Sequence, residues 1–283
     1  MFFGKSLTFN PEQDIPSLAG KVILVTGANI GLGKQCVLEY ARHQPSLIWL
    51  AARTIDKAQT AADEIRQQVK NAPPIKPLAM DLSSLSSVAT AARTVVAEST
   101  RLDILMLNAG IMAAPPGLTS DGYELQFGTN YIGHALFTKL LLPVLEKTAA
   151  MPDADVRIVS LSSHGHVYAP KEGVLFDTLR TDGESLGAYG RYGQSKLAII
   201  LWTRQMARNP WVIRVLGKVA NKVVTPVDQG VRNQLWASVA KEVKSGEYYE
   251  PIGIGGPQTP KGEDDVLALK VWEWTEKELQ GYE

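Results

Sequence analysis

Residues 21–43, KVILVTGANIGLGKQCVLEYARH, decide the fold. KVILVTG is a short apolar run closed by a glycine, which reads as a buried strand. GLGKQCVLEYARH then spaces its apolar residues for one face of a helix. The same alternation continues. LIWLAAR (47–53) and IKPLAM (75–80) read as strands, followed by helical IDKAQTAADEIRQQVK (55–70) and LSSVATAARTVVAES (85–99). LDILMLNAG (102–110) reads as a fourth strand and DVRIVSLSS (155–163) as a fifth. Residues 121–147 form a long helical stretch expected to break or bend near Pro143, because proline removes a helix hydrogen bond. Residues 188–208 form the next helix. Strands alternating with helices imply a parallel sheet covered on both faces. Right-handed crossovers make it a doubly wound, Rossmann-type α/β fold, with ligands expected beyond the carboxyl ends of the strands.

Composition narrows the function. The chain has 283 residues, with 29 Lys+Arg against 29 Asp+Glu, so it carries no basic footprint for nucleic acid. Its one cysteine, Cys36, excludes an internal disulfide and suits a reducing compartment. No apolar run reaches membrane-spanning length, and residues 1–20 lack a signal core, so a soluble cytoplasmic protein is expected. Residues 1–20, with Pro11 and Pro16, read as an irregular arm preceding a single nucleotide-binding domain over 21–283.

The first strand ends in TGANIGLGK, with Gly27, Asn29, Ile30, Gly31 and Gly33 in the turn. Glycines there let the backbone approach a pyrophosphate, whose charge a helix N-terminus favours; a tight strand–helix turn is the alternative. The second strand ends at Arg53, where an NAD site usually carries an acid about 20 residues past the glycines. A guanidinium suits a ribose 2′-phosphate, so NADP is expected over NAD. Asp81 accepts from an adenine amino group, with Leu82 against the ring, or else Asp81 or Ser83 simply caps the next helix. Asn108, Ala109 and Gly110 permit close cofactor approach, or Asn108 ties strands together. Ser162 and Ser163 end the fifth strand. His164-x-His166 follows without a cysteine or carboxylate to complete a metal site, so no metal is expected.

In LGAYGRYGQSKLAII (186–200), Tyr192 and Lys196 lie four apart and share a helix face. Tyr189 has Gly193 at that offset. A cation close to a phenol lowers its pKa, which turns tyrosine into a usable acid or base near neutrality. Tyr192 is therefore the choice.

TGANIGLG, Asp81-Leu82, LNAG, Asn130 within FGTNYIGH, the SLSS strand end and YGQSK together resemble the short-chain dehydrogenase/reductase family over residues 20–208. Their wording is most similar to the branch of retinol dehydrogenases, WW-domain oxidoreductases and fungal reductases. The resemblance implies hydride transfer between a nicotinamide and a carbonyl on a small apolar substrate. It implies that Tyr192 moves the proton, Lys196 lowers its pKa and binds ribose, and Ser163 (or Ser162) orients the carbonyl. Asn130 would position a water in the proton relay. It also implies a homodimer or homotetramer built on helices 121–147 and 188–208.

One stretch departs from the family pattern. No Pro-Gly follows the tyrosine helix, and Val212, Val215, Leu216 and Val219 fit helical spacing. The sixth strand is thus expected to be missing, or shortened to WVIRVLG (211–217), making 209–260 atypical. TPVDQGVRNQLWASVA would be the following helix, with Thr225 capping and Pro226 at its first position. A truncated, catalytically impaired nucleotide-binding relative is the alternative to a working enzyme.

Overall fold

The computed structural model describes residues 7–208, 216–220, 226–256 and 258–282. Among them, seven strands form one sheet in the order β3-β2-β1-β4-β5-β6-β7. These are β1 (Val22–Val25), β2 (Leu47–Ala52), β3 (Ile75–Ala79), β4 (Ile104–Leu107), β5 (Arg157–Leu161), β6 (Leu216–Ala220) and β7 (Tyr248–Tyr249). Every pairing is parallel, with Leu24 opposite Trp49 on one side and Leu105 on the other. The helices are α1 (Pro11–Asp14), α2 (Gly31–Arg42), α3 (Ile55–Gln68), α4 (Leu85–Glu98), α5 (Leu125–Phe127), α6 (Gly133–Ala149), α7 (Gly187–Arg208), α8 (Val227–Val239) and α9 (Asp265–Glu278).

Alternate strand residues serve opposite layers, as the two-residue pleat requires. Leu24, Trp49 and Leu105 face a core shared with α4, α6, α7 and α9. Ile23, Val25, Ile48, Leu50 and Met106 face a second core shared with α2, α3 and α8. Phe9, Ile15 and Leu18 bury against this second core, so the leading segment carries apolar anchors and a short helix that Asn10 caps.

The sixth strand corrects the sequence expectation. Val212 and Val215 lie outside the described residues, but Leu216–Ala220 pairs with β5 on one side and β7 on the other. The strand is therefore present. It begins at the end of the WVIRVLG candidate, and its five residues fall within the usual strand length. The helical spacing of Leu216 and Val219 loses to the unpaired backbone edge that β5 would otherwise expose. The cap expected at Thr225 also lies outside the described residues; Pro226 precedes α8 as its N-cap.

The helical stretch is irregular at its start rather than at Pro143. A π-turn, Gly128–Ile132, separates α5 from α6, and α6 runs through Pro143 on its exposed side. Single π-turns inside helices recur at functional sites. Gly133 lets this segment lie on the third-strand loop: a Cβ there would sit 2.5 Å from the Leu82 carbonyl oxygen.

Helix α9 packs along α7, with Leu267, Ala268, Val271 and Leu279 buried in the core they share, and Lys139 of α6 donates to the Leu279 carbonyl. Arg204 and Arg208 pair with Asp265 at one end of α9, and Arg180 and Tyr123 hold Glu278 at the other.

Candidate active site

Strand order reverses between β1 and β4, and a cleft of about 440 Å³ opens at their carboxyl ends. Gly27, Asn29 and Ile30 line it from the first turn, Arg53 from the second strand, and Asp81 and Leu82 from the third. Asn108, Ala109 and Gly110 line it from the fourth. Gly31 and Gly33 complete the turn. Gly27 takes φ +60° with its would-be Cβ 2.8 Å from that of Ala109, so only glycine fits there. At Gly33 a Cβ would lie 2.4 Å from the Gly27 carbonyl oxygen, which locks the start of α2 under the turn. Ile30 caps α2 without any side-chain hydrogen bond, leaving the first N–H groups of a 12-residue helix for a ligand.

The donor set fits a dinucleotide: open helix N–H groups at one end, and at the rim two cations, Arg53 and Lys57. Neither cation has a polar or charged partner among the described residues. Lys57 was not singled out in the sequence, although its position one helical turn past Arg53 was a usable signal. Asp81 is not the cap of α4. Its Oδ1 accepts from the Ser83 backbone (2.9 Å) and hydroxyl (2.7 Å), building the turn, while Ser84 caps α4.

Asn108 is a structural tie as well as a lining residue. Its Nδ2 donates to the carbonyls of Thr26 (2.9 Å) and Gly27 (3.3 Å). Behind it runs a directional chain. The Ala109 N–H donates to Thr26 Oγ1 (3.0 Å), and Thr26 Oγ1 is 2.9 Å from His134 Nε2. His134 Nδ1 is 2.9 Å from the Asn130 carbonyl oxygen, which can only accept. Burial pushes His134 down to about 4, so it is neutral, with its proton on Nδ1 and Nε2 accepting from Thr26.

Asn130 itself is fully used. Its Oδ1 accepts from the Ile111 N–H (2.8 Å), and its Nδ2 donates to the Ile111 carbonyl (3.0 Å) and Ser195 Oγ (2.9 Å). It therefore fastens the loop after β4 to α7. Ser195 Oγ in turn donates to the Tyr192 carbonyl at 2.7 Å.

Tyr192, Lys196 and Ser163 converge between β5 and α7. The two serines separate cleanly. Ser162 Oγ donates to the Lys196 carbonyl (2.7 Å) and so faces the backbone of α7. The Ser163 hydroxyl lies beside the Tyr192 phenol and accepts from the Gly165 N–H. Gly165 lies flat against the tyrosine ring, since a Cβ there would come within 2.6 Å of Cε1. Lys196 Nζ donates to the Leu161 carbonyl (2.7 Å) and stands 5.7 Å from the Tyr192 ring centre. The expected depression of the tyrosine is not what this geometry gives. Burial raises the Tyr192 phenol, with the Ser163 hydroxyl acting the other way, and burial pushes Lys196 down to about 7. His166 Nδ1 donates to the Ser163 carbonyl (2.7 Å) and its Nε2 accepts from the Thr259 N–H, while His164 lies beside Glu250.

A buried ion pair that the sequence reading did not single out braces this corner. Arg191 and Glu124 are both almost wholly buried, 3.2 Å apart between Nε and Oε1. The Nε–H does not point along a hydrogen bond, so the contact is ionic. Arg191 also donates to the carbonyls of Ala114 (2.7 Å) and Gly183 (3.3 Å).

The sequence model of the short chain dehydrogenase family matches residues 21–174. The chain belongs to that family. It is 37% identical over 302 aligned residues to an uncharacterized oxidoreductase of Schizosaccharomyces pombe, covering 95% of this chain and 87% of the relative. It is 33% identical over 287 residues to retinol dehydrogenase 13 of Homo sapiens, covering 90% of this chain and 83% of that protein. Its fold matches the crystal structure of an uncharacterized protein from Mycobacterium Paratuberculosis with a TM-score of 0.78 and 28% identity, covering 95% and 97% of the two chains. Short-chain dehydrogenases of this retinol dehydrogenase-like branch are NAD(P)-dependent oxidoreductases acting on CH–OH and C=O groups. The reading of this chain as an impaired remnant is not favoured, because β6 completes the sheet and its relatives are oxidoreductases across most of its length. Among the described residues, no helix is long and apolar enough to cross a membrane.

Proposed function

We propose that this chain is an NADP-dependent carbonyl reductase or alcohol dehydrogenase acting on an apolar substrate. The observation that carries this reading is the meeting of Ser163, Tyr192 and Lys196 beside a cleft rimmed by Arg53 and Lys57. Gly27 to Gly33 and the start of α2 would hold the pyrophosphate, Asp81 and Leu82 the adenine, and Arg53 with Lys57 the 2′-phosphate. The bound nicotinamide supplies or accepts the hydride. Tyr192 gives a proton to the developing alkoxide at its phenolic oxygen, or takes one in the reverse direction. Ser163, beside that phenol, aligns the substrate oxygen with it. Lys196, held by the Leu161 carbonyl, places a titratable ammonium one helical turn beyond Tyr192. Asn130 keeps the loop after β4 and α7 in register.

The cofactor reading is tested by titrating NADPH and NADH into the protein and following its fluorescence. Each charge-assisted phosphate contact is worth roughly 1.5–3 kcal/mol. NADPH is therefore expected to bind at least about tenfold tighter than NADH. Replacing Arg53 by Asp should reverse the order, and Lys57→Gln should weaken NADPH alone. Equal affinities in the unmutated protein would contradict the NADP assignment.

A further inference from the structure

Large hydrophobic side chains left in solvent are unremarkable singly but informative when they gather. Here Val167 and Tyr168 stand on the turn that lies against Tyr192, Tyr189 stands one turn before it on α7, and Met112 and Leu118 stand on the loop after β4, each at least 40% exposed. Their placement follows from contacts already described. Tyr189 precedes Tyr192 by three residues on α7 and so lies on the same helix face, one turn toward the N-terminus. Tyr168 ends the turn 164–168 whose Gly165 lies on the Tyr192 ring. Gly193 packs under that turn, with a Cβ position 2.6 Å from the Tyr168 carbonyl carbon. The two tyrosine rings stand 6.0 Å apart between centres. Met112 follows Ile111, which Asn130 grips at both backbone groups, and the Arg191 guanidinium holds the next stretch at Ala114. The mouth is thus apolar and braced from behind.

Its chemistry is equally specific. Residues 111–118, IMAAPPGL, carry no ionisable side chain, and residues 163–170, SHGHVYAP, carry two histidines and the Tyr168 phenol. Neither wall carries a Lys or Arg to grip a carboxylate or phosphate. Two aromatic rings at the edge suit a flat or extended apolar body instead.

We infer that Tyr168 and Tyr189 form an aromatic collar that sets the substrate preference of the Tyr192 site, selecting uncharged carbonyl compounds with a flat apolar body. The inference rests on the proposal that Tyr192 is the proton donor. The two can be separated with a pair of diketones that share a reacting group but differ in bulk, phenanthrenequinone and diacetyl, reduced with NADPH. The wild-type enzyme should favour phenanthrenequinone. A Tyr168→Ala, Tyr189→Ala double variant should lower kcat/KM for phenanthrenequinone by about tenfold or more, the scale of lost apolar contact in a specificity pocket. Diacetyl reduction should change by less than about twofold, and NADPH affinity should stay the same, because neither tyrosine lines the cofactor cleft. The paired Tyr→Phe variant should keep the preference, since rings and not hydroxyls provide it. Equal losses on both diketones, no loss on either, or a wild-type enzyme that binds NADPH yet reduces neither or favours diacetyl would overturn the collar. Retained activity in Tyr192→Phe would instead overturn the proton-donor reading.

Discussion

The half of the sheet from β3 to β4 and the half from β5 to β7 hold their functional residues by different means. In the first half, backbone does the positioning. Glycines at 27 and 33 let chain approach chain, the backbone carbonyls of Thr26 and Gly27 after β1 receive the Asn108 amide after β4, and the cleft opens where strand order reverses. In the second half, side chains do it across long sequence gaps. Asn130 reaches Ile111 and Ser195, Ser162 reaches the Lys196 backbone, and Arg191 reaches Glu124 and Ala114. A backbone-built site depends on a few adjacent residue types. A side-chain-built site depends on partners far away in the chain, so it is easier to break by one substitution.

The contrast is sharpest at Arg191. Truncating it to Met leaves the Glu124 carboxylate buried and unpaired, and such losses cost about 3–5 kcal/mol. Chemical denaturation should show that loss, and pairing Arg191→Met with Glu124→Leu should recover most of it. A penalty below about 1 kcal/mol, typical of solvated pairs, would show that this corner is not braced as described. At the other extreme stand Arg53 and Lys57 on the cofactor rim. Replacing either should change nucleotide preference and leave stability within about 0.5 kcal/mol, the usual range for exposed positions.

A smaller effect is expected with pH. Lys196 ordinarily titrates at 10.5, and burial brings it to about 7 in the folded, cofactor-free protein. Between those values the unfolded chain holds a proton that the folded chain does not, so stability rises with pH. Melting temperature should therefore climb from pH 7 to pH 9, and Lys196→Met should flatten part of the climb. A wild-type profile that falls over this range, or one that Lys196→Met leaves unchanged, would place the ammonium in water rather than behind Tyr192.

The same contrast explains what could be read from the sequence. The parallel sheet and the residues at its carboxyl ends were legible because each lies in a short, contiguous strand–turn–helix unit. Tyr192 and Lys196 were legible for the same reason, being one turn apart on α7. The preference for Ser163 over Ser162 came from the family resemblance alone, since the residues themselves do not show which hydroxyl faces the phenol until β5 packs on α7. The raised phenol was not foreseen because spacing gives proximity to Lys196 but not the burial that raises the phenol. Arg191 and Glu124, 67 residues apart in the chain, leave no local pattern. The sixth strand was misread because helical spacing at Leu216 and Val219 is a weaker constraint than the hydrogen-bonding edges of β5 and β7. Helix α9 over α6 and α7 was likewise beyond local reading, being a tertiary contact between distant segments.

The central claim is that a nucleotide-holding half and a proton-moving half meet at Tyr192. The most direct measurement is a single turnover with NADPH already bound, followed by NADPH absorbance after mixing with phenanthrenequinone, in the wild type and in Tyr192→Phe. Wild type should oxidise its bound NADPH. Tyr192→Phe should bind NADPH as tightly but oxidise it at least about a hundredfold more slowly, the lower end of what a positioned general acid contributes. Equal rates in the two proteins would contradict the account.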